Sequence, residues 1–129
     1  MKELLIKLNA CDEAIEWAGN KSWKEIYNTC HRGEWLLWLF KRTNPNDLQL
    51  LTLAKGHCAN TVRHLMKDER SIKAVDAAIA FGEGRISRDE LDDAAYYAAY
   101  AAAWAAREES QQLTADICRK YLPIEVWNV

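Results

Sequence analysis

Apolar residues in the first half of the chain recur at intervals of three and four, the spacing of one face of an α-helix. Leu4, Leu8, Cys11, Ile15 and Ala18 form the first such series, and Gly19 follows as a stop, so one amphipathic helix is predicted there. Ser22 and Glu25 have the spacing of a capping box, in which the serine oxygen accepts an early N–H and the glutamate reaches back. They predict a second helix to about Cys30, with Trp23, Ile26 and Tyr27 on its apolar side. The run Trp35-Leu36-Leu37-Trp38-Leu39-Phe40 is apolar all round and reads as a central buried helix.

Asn44-Pro45 predicts the next start, an Asn cap with Pro at the first helical position. That helix carries Leu51, Ala54, Cys58, Val62 and Leu65 on one face, and Gly56 within it marks either a close helix crossing or a weak point. Ile72, Val75 and Ile79 define a further helix, closed by Phe81-Gly82-Glu83-Gly84. Ser87 and Glu90 form another capping box, and no breaker follows before Pro123. An unbroken helix over that stretch would run about 50 Å at 1.5 Å per residue, against a diameter of about 36 Å for a compact domain of this length. A break near Glu108 to Gln112 is therefore expected.

On a helical wheel, residues 91 to 108 separate into two faces. Leu91, Ala94, Ala95, Ala98, Ala99, Ala101, Ala102, Ala105 and Ala106 make a smooth half suited to close helix packing. The other half collects Asp92, Asp93, Tyr96, Tyr97, Tyr100, Ala103, Trp104, Arg107 and Glu108. Tyr, Trp and Arg are the residue types enriched in binding hot spots, although the same rings serve equally well to fill a core. Both readings stand at this level.

Composition narrows the class. The chain has 129 residues and is 50% hydrophobic, which predicts one all-α domain over 1–129, a compact bundle of about six to seven helices with a long Ala-rich helix near the C-terminus. A net charge of −2 argues against a DNA or RNA reader, which needs a basic stripe. No apolar run approaches the roughly 20 residues of a membrane span, and the charged start does not read as a signal peptide. A cytoplasmic protein is expected, with its 4 cysteines as thiols, mostly buried. An exposed aromatic patch would favour a homo-oligomer.

Catalytic and metal chemistry find little purchase. Cys11, Cys30, His31, His57, Cys58 and His64 are zinc-ligand types, but their spacing lacks the close pairs of structural sites. The paired acids Asp12/Glu16 and Asp92/Asp93 read as solvated helix faces, and Asp116 with Arg119 as an exposed helix pair. Gly82-Glu83-Gly84 follows a helix, where a nucleotide fingerprint would follow a strand. No catalytic residues, metal or cofactor are predicted.

Several segments together resemble the bacterial and phage putative immunity protein family with an immunity-protein-five-like domain. They are Cys11 with Glu13, Ala14, Glu16 and Trp17; Arg32-Gly33-Glu34-Trp35-Leu36-Leu37-Trp38-Leu39; Asp68 to Ala74; Gly82-Glu83-Gly84; the Ala/Tyr repeat; and Ala115-Asp116-Ile117-Cys118-Arg119 before Leu122-Pro123. Glu34 and Ser71 depart mildly from the pattern, standing where Asp and Pro are frequent. The resemblance implies an all-helical protein that neutralises a cognate toxin or effector by direct, non-enzymatic binding. It places Trp35, Trp38, Asp116 and Arg119 in recurring motifs, beside Tyr96, Tyr100 and Trp104. The alternative is a phage-encoded counter-defence protein that sequesters a small nucleotide ligand, with Tyr and Trp rings holding the base and Arg107 or Arg119 the phosphates. The candidate binding set is accordingly Asp92, Asp93, Tyr96, Tyr100, Trp104, Arg107, Trp35, Trp38, Asp116 and Arg119.

Overall fold

The computed structural model describes residues 1–91 and 110–129. The described residues are helical, with no strand among them. In chain order the helices are α1 (Lys2–Lys7), α2 (Asp12–Ala18), α3 (Trp23–Thr29), α4 (Gly33–Thr43), α5 (Leu48–Asn60), α6 (Glu69–Gly82) and α7 (Gln111–Tyr121). Short 3-10 turns occupy Arg63–Leu65 and Ile124–Val126, and a further helix opens after Ser87. The sorted alanine helix predicted for 91 to 108 lies, apart from Leu91, outside the described residues. So do the candidate residues Asp92, Asp93, Tyr96, Tyr100, Trp104 and Arg107. α7 starts inside the stretch where a break was expected.

The single helix predicted from Leu4 to Ala18 is two. Asn9 sits at φ 60°, and the N–H groups of Asn9 and Ala10 return to the carbonyls of Ile6 and Leu5. That is the paired bonding of a Schellman stop, with asparagine in the left-handed position usually given to glycine. The apolar spacing crosses this stop because both short helices face the same core. The identical device closes α6: Gly84 has φ 78°, and Gly84 and Arg85 donate to Phe81 and Ala80.

The Ser87/Glu90 capping box is complete, whereas at Ser22 the serine oxygen caps the helix and Glu25 reaches back to the Ser22 hydroxyl rather than to its N–H. The Glu25 N–H donates to Ser22 Oγ at 3.2 Å; Glu90 N–H donates to Ser87 Oγ at 3.3 Å while Glu90 Oε1 accepts from the Ser87 N–H at 3.2 Å. Asn44, by contrast, does not begin α5. It ends α4, and its buried amide donates to the Val126 carbonyl at 2.7 Å and accepts from the Asn128 N–H at 3.2 Å. Asp47 caps α5 in its place, accepting from the Leu50 N–H. α5 stops at Asn60, so Leu65 leaves the predicted apolar face and is exposed.

α4 lies at the centre, with Leu36, Leu37, Leu39 and Phe40 buried, and packs against α7 and α5. α6 covers the outer side of α5 and runs antiparallel to it: Leu53 meets Gly82, Gly56 meets Ala78 and Ile79, and Ala59 joins Val75. Gly56 thus marks a close crossing, since a Cβ there would already lie 3.0 Å from Ile79. The α4–α7 approach is tighter still. A Cβ on Gly33 would stand 2.3 Å from Thr114 Oγ1 and 2.6 Å from the Thr114 backbone carbon. All four cysteines are free thiols; Cys30, Cys58 and Cys118 are buried, and Cys11 is exposed.

Two predictions follow from this packing. Gly33→Ala forces α4 from α7 and should cost about 2 kcal/mol in urea unfolding, within the usual range for overpacking. An unchanged midpoint would contradict the close approach. The second concerns His57, which stacks on Tyr121 with ring centroids 3.9 Å apart. Burial, opposed by Glu83 and aided by Lys120, holds its imidazole below the ordinary value of 6.5. The unfolded chain therefore binds the proton more readily, so the histidine's contribution is complete above the ordinary value and is lost as pH falls through the lower folded value. His57→Phe, which keeps a ring against Tyr121, should flatten the decline in urea midpoint between about pH 7 and pH 5; parallel declines in both proteins would count against the shift.

Candidate functional site

Trp35, Trp38 and Leu39 share a face of α4 by their spacing of three and four, and α2 brings Trp17 up against Trp35. Between these helices and α1 lies a cavity of about 500 Å³, lined by Leu5, Asn9, Cys11, Ala14, Trp17, Ile26, Arg32, Glu34, Trp35, Trp38 and their neighbours. The Schellman stop at Asn9 turns the chain between α1 and α2, and so gives the cavity one wall. The α3–α4 corner gives another.

Trp17, His31 and Trp35 form a triangle of tilted rings with centroids 5.9–6.1 Å apart, assembled from Trp17–His31 at 6.0 Å, Trp17–Trp35 at 5.9 Å and His31–Trp35 at 6.1 Å. Each pocket indole also carries a cation from its own neighbourhood in sequence. Arg32 lies 4.3 Å from the Trp35 ring centroid, Lys21 4.9 Å from Trp17, and Arg42 5.4 Å from Trp38.

Arg32 is the most constrained of the three. Its Nε donates to Glu34 Oε1 at 2.7 Å, its Nη2 bonds the same oxygen, and its Nη1 reaches Glu13 Oε1 on α2 at 3.1 Å. The Arg32 side chain is only 20% exposed, whereas Glu13 is 74% exposed. Burial works against the guanidinium charge, but Glu34 and Glu13 outweigh it and hold its pKa above the ordinary value. The clamp ties α2 to the corner before α4, so it maintains the cavity as well as charging its edge.

Asp116 and Arg119 lie elsewhere, on α7. They form the expected exposed-side pair at 2.7 Å, yet Arg119 is 18% exposed and its other bonds are long-range. Its Nη1 donates to the carbonyls of Tyr27 at 3.1 Å and Cys30 at 2.7 Å, at the C-terminus of α3. In return the Tyr27 hydroxyl shares its one proton between the carbonyls of Arg119 and Leu122, at 2.9 and 3.0 Å, at the C-terminus of α7. Burial raises the Tyr27 pKa against the pull of Arg119, which keeps the hydroxyl protonated. Each helix end therefore satisfies carbonyls of the other.

The remaining described tryptophans are part of the core. Trp127 packs on Trp23 and Phe40, both at 5.0 Å between centroids, and on Tyr27 at 6.3 Å, and its indole N–H donates to the Leu122 carbonyl at 2.9 Å. The structure thus brings Trp35 and Trp38 together at the cavity and sets Asp116 and Arg119 apart from it. Trp17, Arg32, Glu34 and Cys11 join the cavity without having been singled out as binding residues. The available signal was the pairing of an indole with a cation three or four residues away, as in Arg32/Trp35, Trp17/Lys21 and Trp38/Arg42. Among the described residues no group of three or more His, Cys, Asp or Glu is arranged to hold a metal ion, and no helix is long and apolar enough to cross a membrane. No protein-family model, curated protein or solved structure matches the chain.

The cross-cap yields a prediction. Arg119→Met keeps the aliphatic packing but strips two carbonyls of their charged donor, and should cost about 2 kcal/mol in urea unfolding. A loss under about 0.5 kcal/mol would mean that those carbonyls find water.

Proposed function

We propose that the protein is a non-enzymatic binding protein and that its ligand enters the tryptophan cavity. The observation that carries this reading is the convergence of three indoles, from helices α2 and α4, on one largely apolar space of about 500 Å³. Ligand sites are typically clefts of about 300–1,000 Å³ with apolar walls and a few fixed polar groups. A closed cavity of about 150 Å³ holds one benzene ring, so this one has room for a flat group of two or three fused rings. In this reading the protein sequesters a small planar ligand, the role expected of a counter-defence binder.

A second reading is favoured by where the resemblance falls. Its two aromatic motifs, Cys11 to Trp17 and Arg32 to Leu39, meet at this cavity although they are separated by α3. In an immunity protein, the cavity would receive a projecting aromatic side chain of the toxin, with Glu13 contacting the partner at the rim. Both readings use the same indoles and need no catalytic group.

Thermal unfolding with 2-naphthylmethanol, indoles and nucleosides separates them from a purely structural role. A ligand at ten times its Kd adds about 1.4 kcal/mol, a Tm rise of about 5 °C for a domain of this size. At least one member should produce that rise in the native protein and not in Trp38→Leu. No rise with any of them, or a rise that survives the substitution, would overturn the small-ligand reading. A stoichiometric complex with a neighbouring gene product that is lost in Trp38→Leu would favour the immunity reading instead.

A further inference from the structure

The charge arrangement at the cavity goes a step beyond its shape. Arg32 and Glu34 are the charged residues lining it. An arginine beside stacked indoles ordinarily suggests a site for phosphate or carboxylate, but this guanidinium is already committed. Nε and Nη2 face Glu34, Nη1 faces Glu13, and one face of the guanidinium lies over Trp35. At the lining Arg32 and Glu34 balance, and Glu13, outside the lining, sets a second carboxylate against the same guanidinium. Lys21 and Arg42 do not line the cavity, and Lys21 donates to the Trp17 carbonyl at 2.7 Å. The lining also includes Asn9, Cys11 and Cys30, an amide and two thiols, of which the Cys30 thiol donates to the Arg32 carbonyl.

Resting on the binding reading above, we infer that the cavity selects a flat two- or three-ring group that is uncharged or cationic, and discriminates against an anion attached to that ring. An anionic group brought to Arg32 meets Glu13 and Glu34 at the same guanidinium, and close like charges are a means of excluding the wrong ligand. A cationic group brought to the same point meets two carboxylates around a single guanidinium. An uncharged heteroaromatic ring is accommodated by the apolar walls, with Asn9 as a hydrogen-bonding neighbour. The chemical class is thus a fused-ring base or amine rather than a nucleotide entering through its phosphates.

Three probes of matched shape test this by titration calorimetry at neutral pH: 2-naphthylmethanol, 2-naphthylmethylamine and 2-naphthoate. The alcohol and amine should bind, and naphthoate should bind at least about tenfold more weakly. In the Glu13→Gln/Glu34→Gln double variant, Arg32 loses both carboxylates, so naphthoate should gain at least about tenfold while the alcohol changes by less than about twofold. Circular dichroism checks that the variant keeps its helices, and the wild-type comparison stands independently of it. Naphthoate binding the wild type as tightly as the alcohol overturns the inference, as does a folded double variant with no gain for the anion. If none of the three probes binds the wild type, the binding reading itself fails, and the charge preference falls with it.

Discussion

The reciprocal cap between α3 and α7 is the constraint on which the arrangement depends. α3 has only seven residues, too few to hold itself together in water. Its N-terminus is closed locally by Ser22, but its C-terminal carbonyls have no local partner other than the helix itself. Arg119 supplies one from 89 to 92 residues away in sequence, and Tyr27 closes the end of α7 with a single hydroxyl. Cys30, whose carbonyl accepts the shorter Arg119 bond, stands two residues before Arg32. The cap therefore fixes the corner from which the cavity's guanidinium and the first turn of α4 emerge.

From that corner the described tryptophans divide into two groups with different surroundings. Trp23 and Trp127 join Tyr27 and Phe40 in a ring-on-ring core that holds the C-terminal segment down, helped by Asn44 binding the Val126 carbonyl. Trp17, Trp35 and Trp38 instead border open space, and each carries a neighbouring cation on its ring. A core indole gains from burial and needs its N–H satisfied, as Trp127 illustrates. A pocket indole offers ring surface to something else. Arg32, held by Glu13 and Glu34, joins the two helices that carry these rings and sets the charge that a ligand meets.

What was legible in the sequence follows the range of each interaction. Ser22/Glu25 and Ser87/Glu90 could be read because a capping box closes within three residues. The apolar run of α4 announced its burial for the same reason. Asn44 was misplaced because its partners, Val126 and Asn128, lie more than 80 residues away, and only the fold reveals that they claim its amide before α5 can. The break at Asn9 was hidden by an apolar spacing that continues across it. Arg119 showed its local pair with Asp116 but not its bonds to α3. The cavity was half legible: Trp35 and Trp38 stood out as neighbours on α4, while Trp17 joins them through the packing of α2.

The separation of the two tryptophan groups is tested most directly by following indole N–H resonances while 2-naphthylmethanol is added. Signals assigned to Trp17, Trp35 and Trp38 should shift together and saturably, while those of Trp23 and Trp127 stay in place. Shifts centred on Trp23 and Trp127, or no saturable shift at Trp17, Trp35 and Trp38, would contradict the account.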